Sequence, residues 1–128
     1  MIKIISIGAL LLSSLVSMDV YAFSDAQLCR AGIATSDGHS AKRVKFISSK
    51  NGLVEVSYLR PDDRKLFKFW CKITPSEILW RDEYIASGWG KNTRIFYKVL
   101  AKNKLEIRIS LAGESEVAEK RIFSNSDF

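Results

Sequence analysis

The chain has 128 residues, of which 47% are hydrophobic and 27% are charged, and this balance is typical of one folded globular domain. The length excludes a multidomain enzyme, and one histidine with two cysteines leaves too few soft ligands for a closed structural zinc site. Twenty lysine and arginine residues against fourteen aspartate and glutamate residues give a formal net charge of +6, which favours anionic partners over cationic ones.

The first 22 residues have the organisation of a secretory signal peptide. Lys3 provides a positive start, residues 4–16 form an almost wholly apolar run, and Val20-Tyr21-Ala22 supplies the small residues that a signal peptidase reads. We predict cleavage at this point, which leaves one domain over residues 23–128. A retained membrane helix is less favoured, because polar residues interrupt the apolar run before it reaches about 20 residues.

Cys29 and Cys71 are the two cysteines of the chain. We predict that they form one disulfide bond, because export leads to an oxidising compartment and a small core benefits from a covalent link. A redox or nucleophilic cysteine is the alternative. The C-x-x-C spacing is absent, however, and His39 is the one histidine that could act as a partner base.

Residues 24–36 are predicted to form a short helix. Ser24 and Gln27 have the spacing of a capping box, and the apolar residues Leu28, Cys29 and Ile33 fall on one face together with Gly32. A glycine inside a helix lowers its stability by about 1 kcal/mol relative to alanine. We therefore expect another part of the chain to pack closely against Gly32.

Apolar and polar residues alternate with a period of two from residue 43 onward. The alternating runs cover residues 43–46, 54–58, 66–73, 77–81, 95–99, 105–111 and 117–123. Asn51-Gly52 is a strong hairpin signal, and Pro61-Asp62-Asp63 indicates a turn. Six or seven strands in hairpin succession predict a mainly β fold, an antiparallel meander that forms a curved sheet or small barrel covered by the one helix. Cys71 should point inward, toward the helix.

Asp62, Asp63 and His39 are the candidate catalytic residues. General acid and base catalysis needs two carboxyl groups in different environments that face one substrate, which adjacent turn residues seldom achieve. Aspartate is a favoured turn former, so a structural role is favoured for this pair. His39 lies in a loop with no second histidine, and a solvated side chain is favoured there over a catalytic base.

The loop around Trp89 is the first candidate for partner contact. Gly88-Trp89-Gly90-Lys91 lacks the spacing of a phosphate-binding loop. It does present Trp89 on a glycine frame beside Lys91 and Arg94, and tryptophan and arginine dominate binding hot spots. The alternative is that Trp89 folds back to cap an open barrel end.

Positive charge is concentrated in two stretches of the sequence. The members are Lys42, Arg43 and Lys45 in the first stretch, and Lys91, Arg94, Lys98, Lys102, Lys104 and Arg108 in the second. Such clusters attract polyanions, and for an exported protein an anionic envelope glycan or an acidic protein is a more accessible partner than nucleic acid. A solvated basic face that keeps the domain soluble is the alternative.

Three stretches carry a resemblance to other proteins. They are residues 29–34 with the pattern C-x-A-G-I-A, residues 58–63 with the pattern Y-x-R-P-D-D, and the following Cys71-Lys72. Together they resemble a group of small exported proteins of unknown function from Gram-negative bacteria. The resemblance implies an exported β domain with a disulfide, and it marks Arg60, Asp62 and Asp63 as motif positions without an assigned role.

The sequence therefore predicts a non-enzymatic binding module of the periplasm or the medium, which uses neither a cofactor nor a metal ion. Inhibition of an envelope protein, or immunity against one, is the form of binding that we expect. Trp89, Lys91 and Arg94 are the expected partner contacts. The alternatives are an envelope-modifying hydrolase that uses Asp62, Asp63 or His39, and a binder of anionic envelope polymers.

Overall fold

The computed structural model describes residues 23–83, 92–112 and 116–128, so the predicted signal peptide lies outside the described residues. In these ranges the chain forms one α-helix, seven β-strands and two short 3-10 turns. The elements are α1 (Asp25–Asp37), a 3-10 turn (Ala41–Arg43), β1 (Lys45–Lys50), β2 (Leu53–Leu59), β3 (Leu66–Ile73), β4 (Glu77–Asp82), β5 (Thr93–Ala101), β6 (Lys104–Leu111), β7 (Val117–Phe123) and a 3-10 turn (Asn125–Asp127).

The seven strands form one antiparallel sheet in the order β1-β2-β3-β4-β5-β6-β7. Each strand pairs with the next along the chain, and the described ranges contain no pairing between β1 and β7. The predicted mainly β meander is thus confirmed. Of its two forms, the structure has the curved sheet, which does not close into the alternative small barrel.

Helix α1 begins where the capping box was predicted. The backbone N–H of Gln27 donates to Ser24 Oγ over 3.1 Å, and the backbone N–H of Ser24 donates to Gln27 Oε1 over 2.9 Å. The helix ends at Gly38, whose φ of 75° places it in the left-handed region that glycine adopts without steric cost. The structure thereby confirms the helix, with bounds one residue later than predicted at each end.

The curved sheet wraps around α1, which contacts every strand. The tightest approach is at Gly32, where an added Cβ would lie 3.0 Å from Ile78 Cδ1 and 3.1 Å from Ile95 Cγ2. Both isoleucines are fully buried. The close packing predicted for Gly32 is therefore confirmed, and its partners are β4 and β5.

The disulfide joins α1 to the middle of the sheet. Cys29 in α1 and Cys71 in β3 are bonded, with their Cα atoms 5.8 Å apart and both side chains fully buried. The predicted disulfide is confirmed, and Cys71 faces the helix as expected. Because disulfides persist in oxidising compartments, this bond is typical of a protein outside the cytoplasm.

Alternate strand residues define two faces of the sheet. Residues on the inner face are buried against α1, among them Val54, Val56, Phe69, Ile107 and Phe123. The strand residues that alternate with them form the outer face, which is turned away from the helix. Within the described ranges, no helix combines the length and hydropathy that crossing a bilayer requires.

The first hairpin has the predicted tight turn, but it departs from the predicted alternation at Phe46. Asn51 and Gly52 have φ values of 52° and 78°, the backbone that a tight two-residue hairpin turn requires. Val44 is buried, but Phe46 is 48% exposed. The reason is that β1 is an edge strand with a register shift between Phe46 and Ser48, so only part of it lies under the helix.

Candidate anion-binding site

A concave surface lined mostly by cations lies at one edge of the sheet. It is an open cleft of about 580 Å³, called the basic cleft below, and its lining residues are Ser40, Lys42, Arg43, Lys45, Leu59, Arg60, Pro61 and Arg64. Five of these eight residues are cationic and none is acidic. Clustered cations in a concave surface focus the electrostatic potential, so this cleft attracts anions.

Two separate segments build the basic cleft. Lys45 at the start of β1 pairs with Ser57 near the end of β2, which brings the segment before β1 beside the turn between β2 and β3. Arg30 of α1 holds the 3-10 turn in place, because its Nε donates to the Val44 carbonyl over 2.7 Å and its Nη2 donates to the Ala41 carbonyl over 3.2 Å. The predicted group of Lys42, Arg43 and Lys45 thus meets cations from the β2–β3 turn.

The motif residues Arg60 and Asp63 shape that turn. The Arg60 guanidinium donates to both carboxylate oxygens of Asp63, with 2.9 Å between Nε and Oδ1, and Asp63 Oδ1 also accepts the backbone N–H of Lys65 over 3.1 Å. These hydrogen bonds lower the pKa of Asp63, and the same pair raises the pKa of Arg60. Asp63 therefore stays ionised and keeps the Arg60 guanidinium oriented at the cleft wall.

Arg64 completes the turn in an unusual backbone conformation. Its φ is 60°, in the left-handed region, and its N–H donates to the Arg60 carbonyl over 2.8 Å. A residue with a Cβ costs roughly 1 kcal/mol or more in this conformation, which glycine or asparagine would adopt more readily. The chain nevertheless carries an arginine here, and its side chain lines the basic cleft.

A smaller cavity of about 220 Å³ extends the basic cleft toward β7. It shares Ser40 and Lys42 with the cleft and reaches Arg121 and Phe123 at the end of β7. Arg121 itself is held by the backbone, since its Nη1 donates to the His39 carbonyl over 2.7 Å. The smaller cavity thus holds two cations, Lys42 and Arg121, together with the carboxylate of Asp127.

Tyr58 and His39 form a packed cluster on the inner face. The Tyr58 hydroxyl donates to Asp37 Oδ2 over 2.8 Å, and its ring lies 4.5 Å from the His39 ring and 5.3 Å from the Phe67 ring. His39 is half-buried in this contact, which differs from the solvated side chain that the sequence predicted. The difference arises because the loop after α1 folds back over β2, where an aromatic ring is available.

Burial of Tyr58 should make the stability of the protein depend on alkaline pH. Its side chain is 6% exposed, and burial first, then the Asp37 hydrogen bond and charge, raise its pKa. The folded state thus keeps a proton that the unfolded chain loses above pH of about 10, so the free energy of unfolding should fall by up to about 1.4 kcal/mol per pH unit above that value. Urea unfolding at a series of pH values measures this slope. Tyr58→Phe should remove this part of the slope, and an unchanged slope in that variant would contradict the assignment.

Of the three predicted partner contacts, Arg94 is the one that falls within the described residues, and it does not line the basic cleft. Trp89 and Lys91 lie outside the described residues. Arg94 is the second residue of β5, and its guanidinium donates to Glu77 over 3.0 Å from Nε and 2.8 Å from Nη2. Its guanidinium also stacks 4.9 Å from the centre of the Phe96 ring, so Arg94 is ordered by its own chain while 55% of its side chain stays exposed.

Sequence reasoning found one half of the basic cleft and missed the other half. The cluster of Lys42, Arg43 and Lys45 was recognised as a basic patch, whereas Arg60 was noted only as a motif position and Arg64 was not singled out. The usable signal was the composition of the predicted turn, where the run Arg60 to Lys65 holds three cations. In the described parts of the chain, no group of three or more histidine, cysteine, aspartate or glutamate residues is arranged to hold a metal ion.

Comparison of the chain with protein-family models, with curated proteins and with solved structures finds no match. The resemblance to small exported proteins of Gram-negative bacteria therefore stays a prediction. The class of the protein rests on its own fold and surface: a disulfide-bonded, seven-stranded curved sheet around one helix, with a basic cleft at its edge.

Proposed function

We propose that the protein is a non-enzymatic binding module, exported to the periplasm or the medium, that takes an anionic group of its partner into the basic cleft. The observation that carries this proposal is the lining of the cleft by five cations, of which Arg60 is paired with Asp63. An anion placed there would gain charge-assisted hydrogen bonds from two polypeptide segments at once. An inhibitor or immunity protein that acts on an acidic envelope protein is one form of this function.

The electrostatics of the turn favour binding over hydrolysis. A general acid needs a carboxyl group that is protonated near neutral pH, whereas hydrogen bonds from Arg60 lower the pKa of Asp63. His39 packs against the Tyr58 ring on the inner face, and the basic cleft does not include it among its lining residues. Asp63 is therefore poorly suited to be the general acid, and the hydrolase alternative, which also names Asp62, stays a prediction.

Two features of the chain, residues 1–22 and the disulfide, support the proposed export. The apolar run with its small residues at positions 20 and 22 has the pattern of a cleaved leader. A fully buried disulfide between α1 and β3 is typical of folding in an oxidising compartment. Mass spectrometry of native material should then detect a chain that begins at Phe23 and lacks free thiols.

The test of the basic cleft uses a short anionic probe and two charge-matched variants. We expect Arg43→Gln/Arg64→Gln to weaken binding of a fluorescent tetragalacturonate by about tenfold or more, since each lost charge-assisted hydrogen bond is worth about 1.5 kcal/mol or more. Fluorescence anisotropy at two or more salt concentrations measures the affinity. The variant should also have a shallower dependence on salt, because fewer counterions are displaced.

Lys98→Gln/Lys104→Gln is the matched control, because it removes the same charge from exposed strand residues that do not line the cleft. With the short probe it should bind as the unmodified protein does. Equal weakening by both variants would mean that net charge alone attracts the probe, and the proposed role of the cleft would then be wrong. Hexaglutamate, used as a second short probe, reports whether the cleft accepts a peptide carboxylate equally well.

A further inference from the structure

The outer face of the sheet carries an excess of positive charge that extends far beyond the basic cleft. On β1 to β4 the outward positions hold five cations, Lys45, Lys50, Lys68, Lys72 and Arg81. On β5 to β7 they hold five more, Arg94, Lys98, Lys104, Arg108 and Lys120. These ten cations are spread over all parts of the sheet instead of forming one spot.

Three carboxylates share the outer face, and each of them is already engaged. Glu55 Oε1 accepts the Ser48 hydroxyl over 3.2 Å, Glu77 accepts the Arg94 guanidinium over 2.8 Å, and Glu106 lies 3.4 Å from Arg108 Nε. Ten cations and three carboxylates give this face a formal charge of +7, compared with +6 for the whole chain. The outer face therefore carries a formal charge at least as large as that of the whole chain.

The basic cleft and the outer face are continuous. Lys45 and Leu59 line the cleft and also occupy outward positions at the ends of β1 and β2. Ser57, which pairs with Lys45, pairs on its other side with Lys68 of β3. An anionic ligand that begins in the cleft can thus reach the next cation of the face without crossing a carboxylate.

Trp70 lies on the outer face next to Lys68 along β3, and its cross-strand neighbours are charged. On the outer face it is paired with Glu55 on one side and with Arg81 on the other, and the Arg81 guanidinium lies 5.9 Å from the centre of its ring. Its ring lines a shallow cavity of about 200 Å³ together with Ser48, Asn51 and Glu55. An aromatic face beside hydroxyl, amide and carboxylate groups offers stacking and hydrogen bonds together, which suits a sugar ring with its apolar face and its hydroxyl edge.

We infer that the partner is an extended anionic polysaccharide, which places an anionic group in the basic cleft and continues across the outer face with one sugar ring on Trp70. This inference rests on the proposed function of the cleft and names the class of ligand. Seven strands at a spacing of about 4.8 Å extend over roughly 29 Å, so a compact anion would contact only a few of the ten cations. A flexible chain can follow the curvature of the sheet, whereas the flat surface of a globular acidic protein contacts only part of a curved face.

The experiment measures binding of galacturonate oligomers that increase in length from two sugar units to a length that exceeds the width of the sheet. We expect the affinity to rise with each added unit until the oligomer spans the outer face, and to stop rising beyond that length. Lys98→Gln/Lys104→Gln should weaken the long oligomers by about tenfold while it leaves the tetramer unaffected, because only a long chain reaches β5 and β6. Trp70→Ala, with its fold checked by circular dichroism, should weaken the galacturonate oligomers and leave inorganic polyphosphate of matched charge unaffected, since polyphosphate has no ring to stack.

The outcomes separate this inference from the proposed function. Two results would overturn the polysaccharide inference and leave the cleft as the site, provided that the affinity still depends on Arg43 and Arg64. One is an affinity that does not increase with oligomer length, and the other is an affinity for long oligomers that does not change in Lys98→Gln/Lys104→Gln. Equal loss of polyphosphate and galacturonate binding in Trp70→Ala would also overturn it. Tighter binding of a polyglutamate of matched length than of galacturonate would assign the face to an acidic protein instead. If Arg43→Gln/Arg64→Gln did not weaken the binding of any of these probes, the proposed function itself would be refuted.

Discussion

Replacing Cys29 and Cys71 together by alanine is expected to lower the free energy of unfolding by about 4 kcal/mol. The bond closes a loop with a sequence separation of 42 residues, and this constraint reduces the conformational entropy of the unfolded chain. Both cysteine side chains are fully buried between α1 and β3. Alanine is the chosen replacement because it has no thiol and adds no polar group to the core. Urea unfolding of the mature chain, followed by tryptophan fluorescence, measures the change.

Reduction of the unmodified protein provides the control for this prediction. With a reductant present, the unmodified protein should unfold at nearly the same urea concentration as the alanine variant, because both then lack the covalent link. A domain of this size has a total stability of only about 5 to 15 kcal/mol, so we also expect a large fall in the yield of folded, exported protein. A change below about 1 kcal/mol would show that the bond does not limit the freedom of the unfolded chain as supposed.

Gly32→Val is expected to lower the free energy of unfolding by about 3 kcal/mol, the upper part of the range for overpacked cores. An added Cβ already lies 3.0 Å from Ile78 Cδ1 and 3.1 Å from Ile95 Cγ2, and the two valine methyl groups need still more space. Alanine at this position is a milder test, since its gain in helix propensity of about 1 kcal/mol opposes the steric cost. Valine gains less, because a β-branched side chain is restricted in a helix.

A second substitution shows whether the cost arises at the contact between α1 and β4. Ile78→Ala alone should cost about 2 to 5 kcal/mol because it leaves a cavity. In the double variant the valine can occupy that cavity, so the combined cost should be clearly smaller than the sum of the two. Gly32→Val with Val56→Ala is the matched control: Val56 is equally buried but is not among the nearest neighbours of Gly32, so those costs should add. Additive costs in both pairs would contradict the packing described here.

These two contacts explain how so small a domain presents a large basic surface. The disulfide and the close approach at Gly32 fasten α1 to the inner face, at β3 in one case and at β4 and β5 in the other. The apolar residues of the strands are used for this packing. Their alternate neighbours need not contribute to the core, and they carry the cations of the outer face and part of the basic cleft.

The sequence by itself determined the local structure, because local structure depends on residues that are near one another in the chain. The capping box of Ser24 and Gln27 starts the helix, and Asn51-Gly52 makes the tight turn between β1 and β2. Alternation with a period of two located six of the strands, overlapped β1 only at Lys45 and Phe46, and assigned Cys71 to the inner face. Two cysteines in a chain with a secretory leader pattern then allowed one pairing, which the structure contains.

Only the tertiary structure decided which surfaces the charged residues build. Lys42, Arg43 and Lys45 meet Arg60 and Arg64 because β1 pairs with β2 in one particular register, and the alternation of residues within a strand does not reveal that register. The same holds for Trp70, whose neighbours Glu55 and Arg81 come from two different strands. Periodicity tells which residues of one strand share a face, whereas hydrogen bonding between strands and the curvature of the sheet around α1 determine which residues of different strands form one continuous surface.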